Sequence, residues 1–253
     1  MEATITEAKV ILKGTGFPRF SSTCTYIRVD NHNVLVDTGS IEFREQLIEN
    51  LRGINLEPSD IDIVILTHMH IDHFSNLCIF INADIYTTMA ELKSYEQVVS
   101  IKNRYSEDIA MNFVLNDLSW RSFNESGLID GQKRNIYQSI ESLAEDQYNR
   151  IVFMDEMVSL FGVLEFVRFY GHSKDPRGIR FNYKGKRIII CGDAVTNKRW
   201  FERVVVQHNV PNGIYDEIVR NVAIASEKSD VIIPGHGFPF FKDTQIYDRE
   251  LCI

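Results

Sequence analysis

Apolar positions, many of them β-branched or aromatic, concentrate in three stretches, Ala8–Leu12, Thr23–Val29 and Asn33–Val36. Gly14, Gly16, Pro18 and an Asp30-Asn31 turn separate them, so the pattern predicts a hairpin-rich β start. The period changes after Asp37-Thr38-Gly39-Ser40. In the run IEFREQLIENLRG, Phe43, Leu47, Ile48 and Leu51 recur at helical spacing and Gly53 closes the stretch, which predicts an amphipathic helix. Pro58-Ser59-Asp60 then turns the chain into Ile61–Leu66, a near-continuous apolar run that fits a strand covered on both faces. A short strand at Ala83–Thr87 and a helix from Met89 to about Val98 follow.

Residues 99–150 differ in kind. They mix aromatics (Tyr105, Phe113, Trp120, Phe123, Tyr137, Tyr148) with charges at mainly helical spacing, and are expected to form an insertion on the scaffold. Long insertions often form lids or binding walls, for which Tyr105, Phe113, Trp120 and Phe123 would give an apolar lining, or these aromatics pack the insertion on the body or against a second subunit; both readings stay open. β-type patterning returns in Met157–Phe161, Leu164–Phe169, Ile179–Tyr183 and Arg187–Cys191, with a turn at Lys184-Gly185. Helical patterns at Lys198–Gln207 and Gly213–Lys228 precede a strand at Val231–Ile233 and the loop Pro234-Gly235-His236-Gly237. Strands dominate both halves with helices between them and no repeat is visible, so one α/β domain over residues 1–253 is expected.

Composition narrows the classes. The 253 residues are 44% hydrophobic and 25% charged, an ordinary mix for a globular chain with a large core. A net charge of -8 makes nucleic acid an unexpected partner. The N-terminus MEATITEAKV lacks the basic and apolar regions of a signal peptide, and no apolar run reaches the roughly 20 residues of a membrane helix. Four cysteines, at 24, 78, 191 and 252, form no C-x-x-C pair. Reduced thiols and a cytoplasmic location without membrane association are therefore expected, with Cys191 assigned to core packing.

The chemistry lies just past the buried strand. His68-Met69-His70-Ile71-Asp72-His73 places three imidazoles and a carboxylate within six residues. Chance would place such an H-x-H-x-D-H in about four of every ten thousand chains of this composition. Capping or carbonyl bonding could use such histidines, but converging imidazoles are what a cation selects. His172, Asp193 and His236 share the context, each in a loop after a predicted strand with glycine immediately before it. Strands aimed at one sheet edge would deliver these loops to a common cleft, the glycines easing the bend. Two histidines fall outside the set: His32 in a turn and His208 after a helix are expected to face solvent.

These residues resemble the metallo-β-lactamase superfamily, whose signature is H-x-H-x-D-H followed by distant His, Asp and His. The resemblance runs from Asp37-Thr38-Gly39 to Pro234-Gly235-His236-Gly237. It implies a four-layer αββα sandwich with a binuclear metal site at one edge. It further implies that His68, His70 and His172 bind the first ion, that Asp72, His73 and His236 bind the second, and that Asp193 bridges both. Asp37 would orient ligands from behind. Five neutral imidazoles and two carboxylates leave two divalent ions undercompensated, which favours a hydroxide between them as nucleophile. Asp72 is the candidate catalytic proton acceptor. With no sulfur ligand, zinc is the first expectation, and manganese and iron also suit the N/O set.

Size, ligand set and the Gly192-Asp193-Ala194 segment resemble lactonases that open acyl-homoserine lactones, although those carry a tyrosine where this chain has Thr196. The expected activity is hydrolysis of a small ester or lactone. Phosphodiester hydrolysis is the alternative, followed by iron-dependent redox chemistry and by a binding protein that has lost catalysis. Tyr170, Lys174, Arg177 and Thr196 are the candidate substrate contacts, with Tyr26 a further hydroxyl near the motif. A homodimer is the expected assembly if residues 99–150 form a subunit interface.

Overall fold

Alternating apolar side chains build two six-stranded sheets whose inner faces meet. The computed structural model describes residues 3–16, 19–116, 134, 137–205, 215–227 and 229–252. The first sheet runs in the order β1 (Ile5–Leu12), β2 (Cys24–Val29), β3 (His32–Val36), β4 (Ile63–Ile65), β5 (Asp84–Thr87), β6 (Ile151–Phe153). Its first three strands are antiparallel, and β3 to β6 pair in parallel. The second sheet runs β12 (Phe240–Phe241), β11 (Val231–Ile233), β10 (Lys186–Ile190), β9 (Arg177–Tyr183), β8 (Leu164–Arg168), β7 (Ser159–Leu160). Only β10 and β11 are parallel there.

The period-2 alternation decides which core each residue joins. Val34 and Val36 of β3 and Ile63 and Ile65 of β4 enter the inter-sheet core with Ile188, Ile190, Val231 and Ile233 of the second sheet. Leu35 and Val64 point the other way, into an outer layer with α1 (Arg44–Arg52) and α3 (Met89–Arg104). A second outer layer joins Ile189 and Ile232 to α6 (Lys198–Val205) and α7 (Tyr215–Glu227). Among the described residues the other α-helices are α2 (Ile71–Phe74), α4 (Glu107–Asn116) and α5 (Glu145–Tyr148). Helix, sheet, sheet, helix is the αββα order. Among the described residues no helix is long and apolar enough to cross a membrane.

Several boundaries differ from the sequence pattern. β1 begins at Ile5, and β6 and β12 have no counterpart in the expected strands. The strand expected over Met157–Phe161 shortens to Ser159–Leu160, because Phe161 and Gly162 both take left-handed backbone (φ 56° and 75°) to reverse into β8. α3 continues six residues past Val98, to Arg104, and Tyr137, Ile140 and Leu143 are buried in the same outer layer. Both ends of the stretch 99–150 thus belong to the body. Trp120, Phe123, His208 and parts of the helices expected at 198–207 and 213–228 lie outside the described residues.

Candidate metal centre

Five strand ends meet at one edge. β3 and β4 are parallel and lead into Asp37 and into Thr67–His73. In the second sheet β8 and β10 both run antiparallel to β9, and β11 runs parallel to β10, so the loops bearing His172, Asp193 and His236 leave on one side. Two of these positions use costly backbone: Asp37 and His172 have φ of 59° and 58°. Non-glycine residues persist there only when their surroundings hold them, and such strain gathers at functional sites.

The side chains converge. His172 Nε2 lies 2.9 Å from His70 Nδ1 and 3.1 Å from His68 Nε2. Two nitrogens on a tetrahedral ion at about 2.0–2.1 Å would stand about 3.3 Å apart, so this triad fits a cation with little adjustment. Beside it, His236 Nε2 is 3.5 Å from Asp72 Oδ2, which is 3.8 Å from His73 Nε2. Asp193 lies between the groups, with Oδ2 3.3 Å from His172 Nε2 and Oδ1 3.2 Å from His236 Nε2 and 3.6 Å from His73 Nε2. His73 Nε2 and Asp193 Oδ1 are buried and make no hydrogen bond, a costly state that a cation between them would relieve. The structure brings together all seven residues singled out in the sequence: ligand atoms of His68, His70 and His172, of His68, His73 and Asp193, and of Asp72, His73 and His236 fall in groups within 4.8 Å.

Backbone and side-chain partners orient the rings. His236 Nδ1 sits 3.0 and 2.9 Å from the carbonyls of Thr15 and Ser21, so it donates there and Nε2 is left facing the centre. Asp37 accepts the Thr67 amide and hydroxyl, both at 2.8 Å, and lies 2.9 Å from His73 Nδ1. The close-packed rings also perturb one another. Burial, then the neighbouring imidazoles of His73, His70 and His172, pushes His68 well below the ordinary histidine range. Burial also lowers His172, against the pull of Asp193. Burial opposes charge on His73, yet Asp37 and Asp72 outweigh it and hold its proton well above the usual range. At His236 burial is outweighed by Asp193, which raises the imidazole to about 9. Asp193 is held well below the carboxylate range by His236 and His172, despite its burial.

The other sequence-named residues fare differently. Tyr170 flanks His172, with Arg220 stacked 3.4 Å above its ring. Thr196 donates its hydroxyl to the Asp193 carbonyl at 3.2 Å, and Lys174 is exposed. Arg177 is buried: its guanidinium donates to Asp175 at 2.9 Å, Arg168 shares that carboxylate at 3.1 Å, and the Arg177 Nε makes no hydrogen bond. The Tyr26 hydroxyl donates to Asn33, at the end of β3 opposite the one that leads into Asp37. Cys191 packs in the second outer layer, and exposed His32 stacks on Phe161 with ring centroids 4.7 Å apart. Sequence reasoning missed Thr67 and Asn221. The Asn221 amide accepts from Tyr170 N at 3.0 Å and donates to Tyr170 O at 2.8 Å, tying α7 to the His172 loop. A lone helical asparagine gives no signal of that role, whereas Thr67 adjoins the histidine motif.

Comparison with known proteins places this geometry. The profile of the metallo-beta-lactamase superfamily matches residues 17–236. A Methanocaldococcus jannaschii protein named probable metallo-hydrolase MJ0296 is 39% identical over 79 residues, covering 30% of this chain and 39% of that protein. Metallo-beta-lactamase domain-containing protein 1 of Xenopus laevis is 42% identical over 52 residues, covering 21% of this chain and 22% of that one. The matched stretches thus span well under half of either curated relative. Among solved structures, a metallo-beta-lactamase candidate from Thermotoga maritima superposes with a TM-score of 0.67 at 18% identity, over 95% of this chain and 100% of that one. The hydrolase AbOPH of the beta-lactamase superfamily gives 0.55 at 17% identity, over 85% and 72%. At these identities the structural likeness speaks to fold alone.

Proposed function

The chain belongs to the metallo-beta-lactamase superfamily, and on that premise we propose that it is a binuclear metal-dependent hydrolase acting on a small ester or lactone. The observation that carries this reading is the approach of His68 Nε2 and His70 Nδ1 to His172 Nε2 beside the Asp72, His73 and His236 group. His68, His70 and His172 would hold one divalent ion, Asp72, His73 and His236 the other, with Asp193 reaching both. Zinc is the first choice for this N/O set, with manganese and iron as competitors. Such a pair, when bound, lowers the pKa of water from 15.7 to about 7 and polarises the substrate oxygen.

The chain's own residues supply the rest. Asp72 Oδ2, close to both His236 and His73, is placed to accept a proton from the attacking water and return it to the leaving oxygen. Asp37, through His73, keeps that side of the centre in register. Tyr170, two residues before His172 and stacked by Arg220, and Thr196, three residues after Asp193, are the candidate substrate contacts beside the centre. Lys174 stays a candidate contact for a polar substrate group.

Zinc-, manganese- and iron-reconstituted protein should be assayed against lactones, aryl esters, thioesters and aryl phosphodiesters, with His70→Ala as control. Turnover of a lactone or ester that the variant lacks supports the proposal. Cleavage of phosphodiesters alone transfers it to the alternative class. Stoichiometric iron with oxygen consumption, or inactivity on every substrate with both ions bound, overturns it.

A further inference from the structure

Glu91 is 3% exposed, near the start of α3. Thr88-Met89-Ala90-Glu91 is a capping-box sequence, in which the acid would turn back to its own helix start. The Thr88 hydroxyl does accept the Glu91 amide, at 3.4 Å. The carboxylate instead reaches across the molecule. Its Oε2 accepts the Met69 amide at 3.0 Å and its Oε1 accepts the Asp175 amide at 2.7 Å. Met69 lies between His68 and His70, and Asp175 stands three residues past His172.

We infer that Glu91 is a positioning residue for the His68–His70–His172 triad, a buried carboxylate that fixes the spacing between the loop carrying two of the nitrogens and the loop carrying the third. The inference rests on the metal-centre reading above. The two loops leave different sheets, one after β4 and one after β8, so local chain geometry does not set their separation. The second loop also carries successive left-handed residues, Gly171 (φ 66°) and His172 (φ 58°), a conformation that needs an external hold. The helix start favours a negative charge there, and bonds to an ionised acceptor are the stronger kind. Both partners are N–H donors. An amide would satisfy one and turn its own NH2 against the other, so the site calls for a carboxylate. His73 and His236 are oriented by other partners, Asp37 and the carbonyls of Thr15 and Ser21, so the effect should fall on one ion.

The full-length protein, stripped of metal, should be titrated with cobalt(II) as wild type, Glu91→Gln, Glu91→Ala and His172→Ala, following ligand-field absorption and stoichiometry. Circular dichroism melts of the metal-free variants monitor folding. Two binding steps are expected in wild type, one of them absent in His172→Ala. In Glu91→Ala that step weakens about 10- to 100-fold, the range for residues that orient ligands from behind, while the other step is retained; Glu91→Gln, keeping one acceptor, loses less. Should Glu91→Ala not fold, the volume-preserving Glu91→Gln decides alone. A folded variant binding both ions with wild-type affinity and spectrum overturns the role of Glu91. A wild type that binds no cobalt overturns the metal reading on which it rests.

Discussion

His73 Nδ1 lies 2.9 Å from Asp37 Oδ2, with both groups almost fully buried. The same carboxylate takes the amide and hydroxyl of Thr67, so one side chain locks the entry to the histidine motif and aims the His73 ring. Asp37→Ala should weaken metal binding by about 10- to 100-fold. Competition with a chromophoric chelator reads the change directly, and wild-type affinity would remove Asp37 from the support of the centre.

Metal uptake should release protons. Before metal binds, His236 is raised to about 9 and His73 is held well above the usual range, so both rings hold a proton more tightly than an ordinary imidazole. Ligation requires the neutral imidazole. Affinity should therefore rise with pH from 6 towards about 9 as His236 gives up its proton more readily. Calorimetry in buffers of different ionisation enthalpy should show net proton release per filled centre, and a pH-independent affinity would contradict the assigned charge states.

Gly235 tests the packing behind Asp193. A Cβ added there would coincide with the Asp193 carboxylate, and Gly192 backbone lies 2.8 Å behind it. Gly235→Ala should displace Asp193 and cost at least about tenfold in affinity of the metal that this carboxylate is proposed to reach. Equilibrium dialysis with metal analysis checks it, and a variant that keeps both ions bound at wild-type strength would contradict this packing.

Asn221→Ala should loosen the His172 loop, because Tyr170 loses partners for both its N–H and its carbonyl. The expected loss of stability is about 1–3 kcal/mol, read from urea denaturation of the metal-free protein. A change under a few tenths of a kcal/mol would show that water replaces the amide at no cost.

How much of this was legible before folding depends on the distance over which each residue acts. His68, His70, Asp72 and His73 stand together in sequence, and short runs of β-branched and other apolar residues mark the strands that aim His172, Asp193 and His236 at the same edge. Glu91 was illegible because its capping-box spacing points to a local bond, and only the packed molecule sends its carboxylate to Met69 and Asp175. The setting of Arg177 was hidden for the complementary reason: its partner Asp175 is only two residues away, but nothing in the sequence shows that both are buried. The short strand at Ile151–Phe153 had too few residues to display a period, and its place is fixed by pairing with β5.

The two trios proposed to hold ions each draw two residues from the segment after β4 and one from a loop of the opposite sheet. Neither half of the sandwich, taken alone, owns a complete chelating trio. The cations would consequently act as rivets across the seam, adding to the Glu91 bridge and to the bonds of His236 with the Thr15 and Ser21 carbonyls, and stripping them should loosen that rim first while the far end, around the Lys184-Gly185 turn, stays shut.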